Sequence, residues 1–159
     1  MQWVEGQIYE GNASISGESG PFHRWILVAP FGKRHAQSID NPLDLHYLPV
    51  ASFSNAVESG RLRLVGHERN HPALQWQRAK ERAGVRDAHL GLHGAQLQTM
   101  LRLLREAVEQ GECYAEFAAG EVLASVNEAF YDAESVKAIE QHVFELVGQG
   151  AGSGEAAGT

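Results

Sequence analysis

A chain of 159 residues, 43% hydrophobic and 21% charged, has the length and balance of one ordinary folded domain, which excludes a disordered polymer. No apolar run approaches the roughly 18 residues that a spanning helix needs, and Met1 to Gly6 lack the basic and apolar parts of a signal peptide. Cys113 is the only cysteine, which rules out an intramolecular disulfide, so a soluble protein of the reducing cytoplasm is expected.

The formal net charge of −7 is unevenly spread. Between Arg61 and Arg86 stand seven basic residues and two acids, whereas Glu106 to Glu155 supplies eleven acids. Such polarity suits either a solvated helix face or a docking patch for an anion or an acidic partner.

From the start, Trp3, Glu5, Gln7 and Tyr9 fall on one side of an extended segment, with Val4 and Ile8 on the other. Gly11 to Gly20 predicts a long hairpin loop. His23 to Ala29 ends in a continuous apolar run, the pattern of a strand covered on both faces, and is the candidate centre of a sheet. Pro30 to Pro42 reads as irregular loop and Leu45 to Pro49 as a short strand. Phe53 to Ser59 predicts a short helix, with Ser52 or Ser54 as N-cap and Gly60 closing it. Arg61 to Val65 alternates, as a strand with one wet face does.

The second half has helical spacing. Ala73 to Ala83 predicts a basic helix stopped by Gly84. From Ala95 to Gln110, Leu97, Leu101, Leu104 and Val108 form a stripe that Met100 and Ala107 widen, and Gly111 closes it. Glu112 to Phe117 and Glu121 to Val126, joined by Ala118-Ala119-Gly120, fit a hairpin or a strand followed by a helix, with the hairpin preferred. Ala133 to Val147 predicts a helix capped by Asp132 and stopped by Gly148.

These elements predict an α+β fold in a single domain over 1–148. Its sheet is antiparallel-dominated, with about four to six strands, mostly N-terminal, and about two to four helices mostly in the C-terminal half. Residues 149–159 are small and polar, and are expected as a flexible tail. The expected core holds Trp25, Ile26, Leu27, Val28, Leu97, Leu101, Leu104, Val108, Ile139 and Val143.

His67-Glu68-Arg69-Asn70-His71 satisfies the His-Glu-x-x-His rule of zinc-dependent hydrolases. On a helix, two histidines four apart share one metal, and the Glu serves as general base. Here Gly66 precedes the motif, and Pro72 pushes His71 out of the helical region, so the letters match without the helix. A looser metal site would combine His67 and His71 with His89 and His93, which repeat the spacing. Cys113, in an apolar context on an expected strand, reads as a small core residue and not a nucleophile. Neither a Gly-x-Ser-x-Gly elbow nor a phosphate-binding glycine loop occurs.

Arg69, Trp76, Arg78, Lys80, Arg82 and Arg86 are candidate binding residues, because cations neutralise phosphates and an indole stacks on a base. Helical geometry divides them, however. Arg78 and Arg82 share a face, Lys80 points elsewhere, and Trp76, Ala79 and Ala83 suit a buried edge.

His46-Tyr47-Leu48, followed by the helix and strand through Val65, is similar to the opening of ADP-ribosyltransferase-like domains. That resemblance implies that His46 contacts a nicotinamide nucleotide and that Glu116, on a later strand, compares with the family's catalytic glutamate.

The expectation drawn from all of this is a small non-catalytic binding protein, of inhibitor, immunity or adaptor type, with another protein as partner, no membrane and no cofactor. The alternatives are a zinc hydrolase, the transferase just described and a nucleic-acid binder.

Overall fold

The computed structural model describes residues 3–13, 19–48, 51–85, 94–128 and 131–158. The elements run β1 (Gln7–Ala13), β2 (Ser19–Val28), β3 (His35–Ser38), β4 (Leu45–Tyr47), α1 (Ala51–Glu58), β5 (Leu62–His67), α2 (Pro72–Arg82), α3 (Gly94–Gln110), α4 (Ala115–Glu128) and α5 (Ala133–Gly158), with a 3-10 turn at Pro30–Gly32. The fold is α+β: one five-stranded sheet, ordered β4-β3-β2-β1-β5 and antiparallel throughout, precedes most of the helices. Among the described residues there are five helices, more than the two to four expected. Residues Met1–Arg78 form one compact unit and Ala79–Thr159 another.

In the first unit, β2 lies at the centre of the sheet, as its apolar run predicts. Trp25, Ile26, Leu27 and Val28 are all buried, so both faces of this strand are covered. Tyr9, Trp25, Leu27, Ala36, Leu48, Phe53, Ala56 and Leu62 belong to one core cluster, against which Trp3 and Val57 pack. The loop expected at Pro30 to Pro42 contains β3, whose polar sequence His35-Ala36-Gln37-Ser38 carries no strand pattern. Pairing with β2 recruits it. Buried Gln37 then orders the following turn, its Nε2 lying 3.0–3.4 Å from the carbonyls of Ser38, Asn41, Pro42 and Asp44. Helix α1 begins at Ala51, so Ser52 and Ser54 lie inside it and neither caps it.

Two glycines hold the sheet together where side chains would not fit. Gly11 pairs with Leu62, and a Cβ there would stand 1.8 Å from the Arg61 carbonyl oxygen. Gly6, at φ +93°, donates its N–H to Leu27 O and accepts from Glu68 N, while a Cβ would press on the Glu68 carbonyl at 3.0 Å.

In the second unit, α3, α4 and α5 pack on one another. Met100, Leu104, Ala107, Ala118, Val122, Val126 and Val143 are buried there. Leu101, Val108 and Ile139, expected in the core, are only half-buried. Residues 115–128 form a helix and not the preferred hairpin. Alanine has the best helix propensity, an interior glycine such as Gly120 costs only about 1 kcal/mol, and buried Ala118, Ala119, Val122 and Val126 keep helical spacing. Cys113 is exposed in the turn before α4, which corrects its expected place on a core strand.

Gly84 and Gly111 close α2 and α3 as expected, each followed by an N–H that reaches back five residues (Val85 N to Lys80 O and Glu112 N to Ala107 O). Asp132 caps α5, its carboxylate accepting from Ser135 N at 2.8 Å. The helix runs through Gly148, its expected stop, to Gly158, so residues 149–158 take helical form where a structureless tail is expected. No helix among the described residues is long and apolar enough to cross a membrane.

Candidate functional site

Residues 67–71 are not helical. His67 ends β5, Glu68 to His71 form the turn after it, and Pro72 opens α2. Several groups in this turn have structural work. The His67 ring donates from Nε2 to the Glu5 carbonyl at 2.9 Å, and Glu68 N donates to Gly6 O at 2.9 Å. His71 Nδ1 accepts from Ala73 N at 3.1 Å, which makes the imidazole an N-cap of α2. That role needs an unprotonated Nδ1. Consistently, burial pushes the His71 pKa below its ordinary value, with Arg24 adding to the depression and Glu68 opposing it.

Arg78 completes the turn. It donates to the Arg69 carbonyl at 3.2 Å and pairs with Glu5 at 2.8 Å, while Gln75 holds the Asn70 carbonyl at 2.8 Å. One nitrogen of each ring is therefore held by a backbone group. His89 and His93 lie outside the described residues. Among the described residues, no three His, Cys, Asp or Glu side chains converge as a metal-ligating group.

The basic segment is likewise dispersed. Trp76 is fully buried, which corrects its candidacy as a stacking residue. Lys80 is buried too, 2.8 Å from the buried Glu121 carboxylate, so its charge is not offered to solvent. Arg78 is committed to Glu5. Arg82 is exposed and lines a recess of about 320 Å³ with Arg102, Glu106, Glu112 and Tyr114, a lining of mixed sign. Arg86 lies outside the described residues.

A second recess, of about 370 Å³, is lined by Gln98, Thr99, Leu101, Arg102, Arg105 and His142. Its two arginines each have a carboxylate one turn along α3: Glu106 at 3.0 Å from Arg102 and Glu109 at 4.0 Å from Arg105.

His46 sits on β4, hydrogen-bonded through Nε2 to the Asp44 carboxylate. Its ring edge meets buried Trp25, whose other ring contact is His23, stacked at 5.8 Å. Glu116 is exposed in the first turn of α4. That corrects its expected strand position, so the transferase likeness loses the strand-borne glutamate it needs.

Sequence reasoning missed the edge of the sheet. Opposite Tyr9 the register of β5 slips, with Ile8 facing Gly66 and Tyr9 facing Leu64, so Val65 is a bulge. The alternation Leu62, Leu64 predicts two inward residues. Only Leu62 is buried, while Leu64 and Val65 are 53% and 48% exposed. Arg63 is exposed beside them, and Arg69 follows in the turn. Neither has an ion pair among the described residues, whereas Arg24, Arg78, Arg102 and Arg105 each face a carboxylate. The opposite edge, β4, is three residues long, a length that blunts an edge.

Comparison of the chain with protein families, with curated proteins and with solved structures returns no match.

Proposed function

We propose that the protein is a non-catalytic binding protein that works by contact with another protein, and that the β5 edge of the first unit is the contact surface. One observation carries this reading: adjacent Leu64 and Val65 stand exposed on an edge strand, and soluble domains ordinarily cover or charge such edges against unwanted pairing. The −7 net charge adds long-range steering toward or away from partners.

The test is affinity capture with the full chain, followed by native mass spectrometry, alongside a Leu64→Ser/Val65→Ser variant. Both positions are exposed, so the variant is expected to keep its stability within about 0.5 kcal/mol per site. A stoichiometric protein partner held by the parent and lost by the variant supports the reading. A chain recovered alone at low and high salt overturns it, as does a partner that the variant retains in full.

A further inference from the structure

Resting on the reading above, we infer that the partner supplies an acidic, extended segment that adds to the sheet as a further strand beside β5. Strand β5 is the terminal strand of the sheet. Among the described residues, its only backbone hydrogen bonds are those of the β1 ladder. Every second N–H and C=O of such a strand points outward, so the edge is a template for an incoming strand.

Charge selects the incomer. Arg61, Arg63 and Arg69 flank Leu64 and Val65 in sequence, and Glu68 is the one acid between positions 61 and 69. Glu10, across the ladder, is in register with both Arg63 and Arg24 yet closes an ion pair with neither. Arg24 has Asp40 instead, at 2.5 Å. Arg63 and Arg69 close no ion pair among the described residues, at positions where a strand laid along β5 could bring a carboxylate. The bulge at Val65 turns that apolar side chain out beside Leu64, so apolar positions alternating with carboxylates would match the edge.

A second copy of this chain fits less well. An antiparallel β5–β5 pair brings two arginine-rich segments together, and like charges placed across a ladder are destabilising.

The probe is a short capped peptide of alternating valine and glutamate, titrated into the full chain and followed by backbone amide NMR. Its controls are the same peptide with lysine for glutamate and the acidic peptide with a central proline. Expected are shifts confined to Leu62–His67 and the facing β1 residues, slower amide exchange along β5, and binding at least tenfold weaker for each control. The variant Arg63→Glu/Arg69→Glu should reverse the preference between the acidic and the lysine peptide. Lysine-peptide binding equal to that of the acidic one, shifts that map elsewhere, or no binding at about 1 mM, a free energy of about −4 kcal/mol, would overturn the proposal. So would concentration-dependent dimerisation through β5. None of these outcomes touches the broader reading, which stands or falls on whether the Leu64→Ser/Val65→Ser variant loses a captured protein.

Discussion

The two compact units differ in what holds them. Residues 1–78 contain seven basic and seven acidic side chains, while 79–159 contain six and thirteen, so the entire net charge of −7 falls on the helical half. The sheet unit is fastened by backbone register and by hydrogen bonds between distant segments: His67 to Glu5 across 62 positions and Arg78 to Glu5 across 73. The helical unit rests on local periodicity, caps and one buried ion pair. The lesson is that steric changes to the backbone should damage the first unit most, and charge changes the second.

The sharpest test is Gly11→Ala. With a Cβ 1.8 Å from the Arg61 carbonyl, β1 and β5 must part, and a loss of at least about 4 kcal/mol is expected by denaturant unfolding. A loss below about 1 kcal/mol would erase the contrast between the units. Next comes Glu121→Ala, which removes the carboxylate 2.8 Å from a buried ammonium. It should cost about 3–5 kcal/mol, whereas Lys80→Met/Glu121→Leu together should be near neutral. If the double variant is as unstable as the single one, charge is not what the helical unit is sensitive to.

His71 provides a smaller effect with a pH signature. Its native pKa lies below the ordinary value of 6.5, so the unfolded chain takes up its proton first as pH falls. The contribution of the neutral cap is complete above pH 6.5 and declines as the pH drops through that value toward the native pKa. His71→Ala should cost about 1 kcal/mol near pH 7.5, and His71→Asn should retain the cap while flattening stability between pH 7 and 5. An unchanged pH profile in His71→Asn would remove this residue from the account. Smallest is Ser125→Ala. The hydroxyl is buried without a partner among the described residues, so its removal should be neutral or stabilising by up to about 1 kcal/mol. A clear loss in thermal unfolding would show that the helical core depends on that hydroxyl.

The fold was legible where one period dominates. The apolar run at Ile26 to Val28 gives the central strand, and Leu97 to Val108 gives α3. It was illegible where pairing, and not local preference, decides: β3 is polar and exists because β2 offers a ladder. Residues 115–128 misled because Ala118-Ala119-Gly120 looks like a turn, while Ala118, Val122 and Val126 already keep helical spacing. At the candidate site, Gly66 and Pro72 correctly argued against a helix over residues 67–71. The hydrogen bonds that occupy those residues join segments far apart in sequence and leave no local signal. The exposed Leu64 was hidden for the same reason, since a bulge is a property of two strands together.

The clamp at Gly6 has a consequence for synthesis. Its N–H can find Leu27 early, but its carbonyl must wait for Glu68, and the Glu5 carbonyl must wait for His67, 62 positions later. At about 5–20 residues per second, a ribosome leaves those groups without their native partners for about 3–12 s. During that interval the first strand hangs on a half-built sheet, and a chaperone that grips β1 would meet its substrate then.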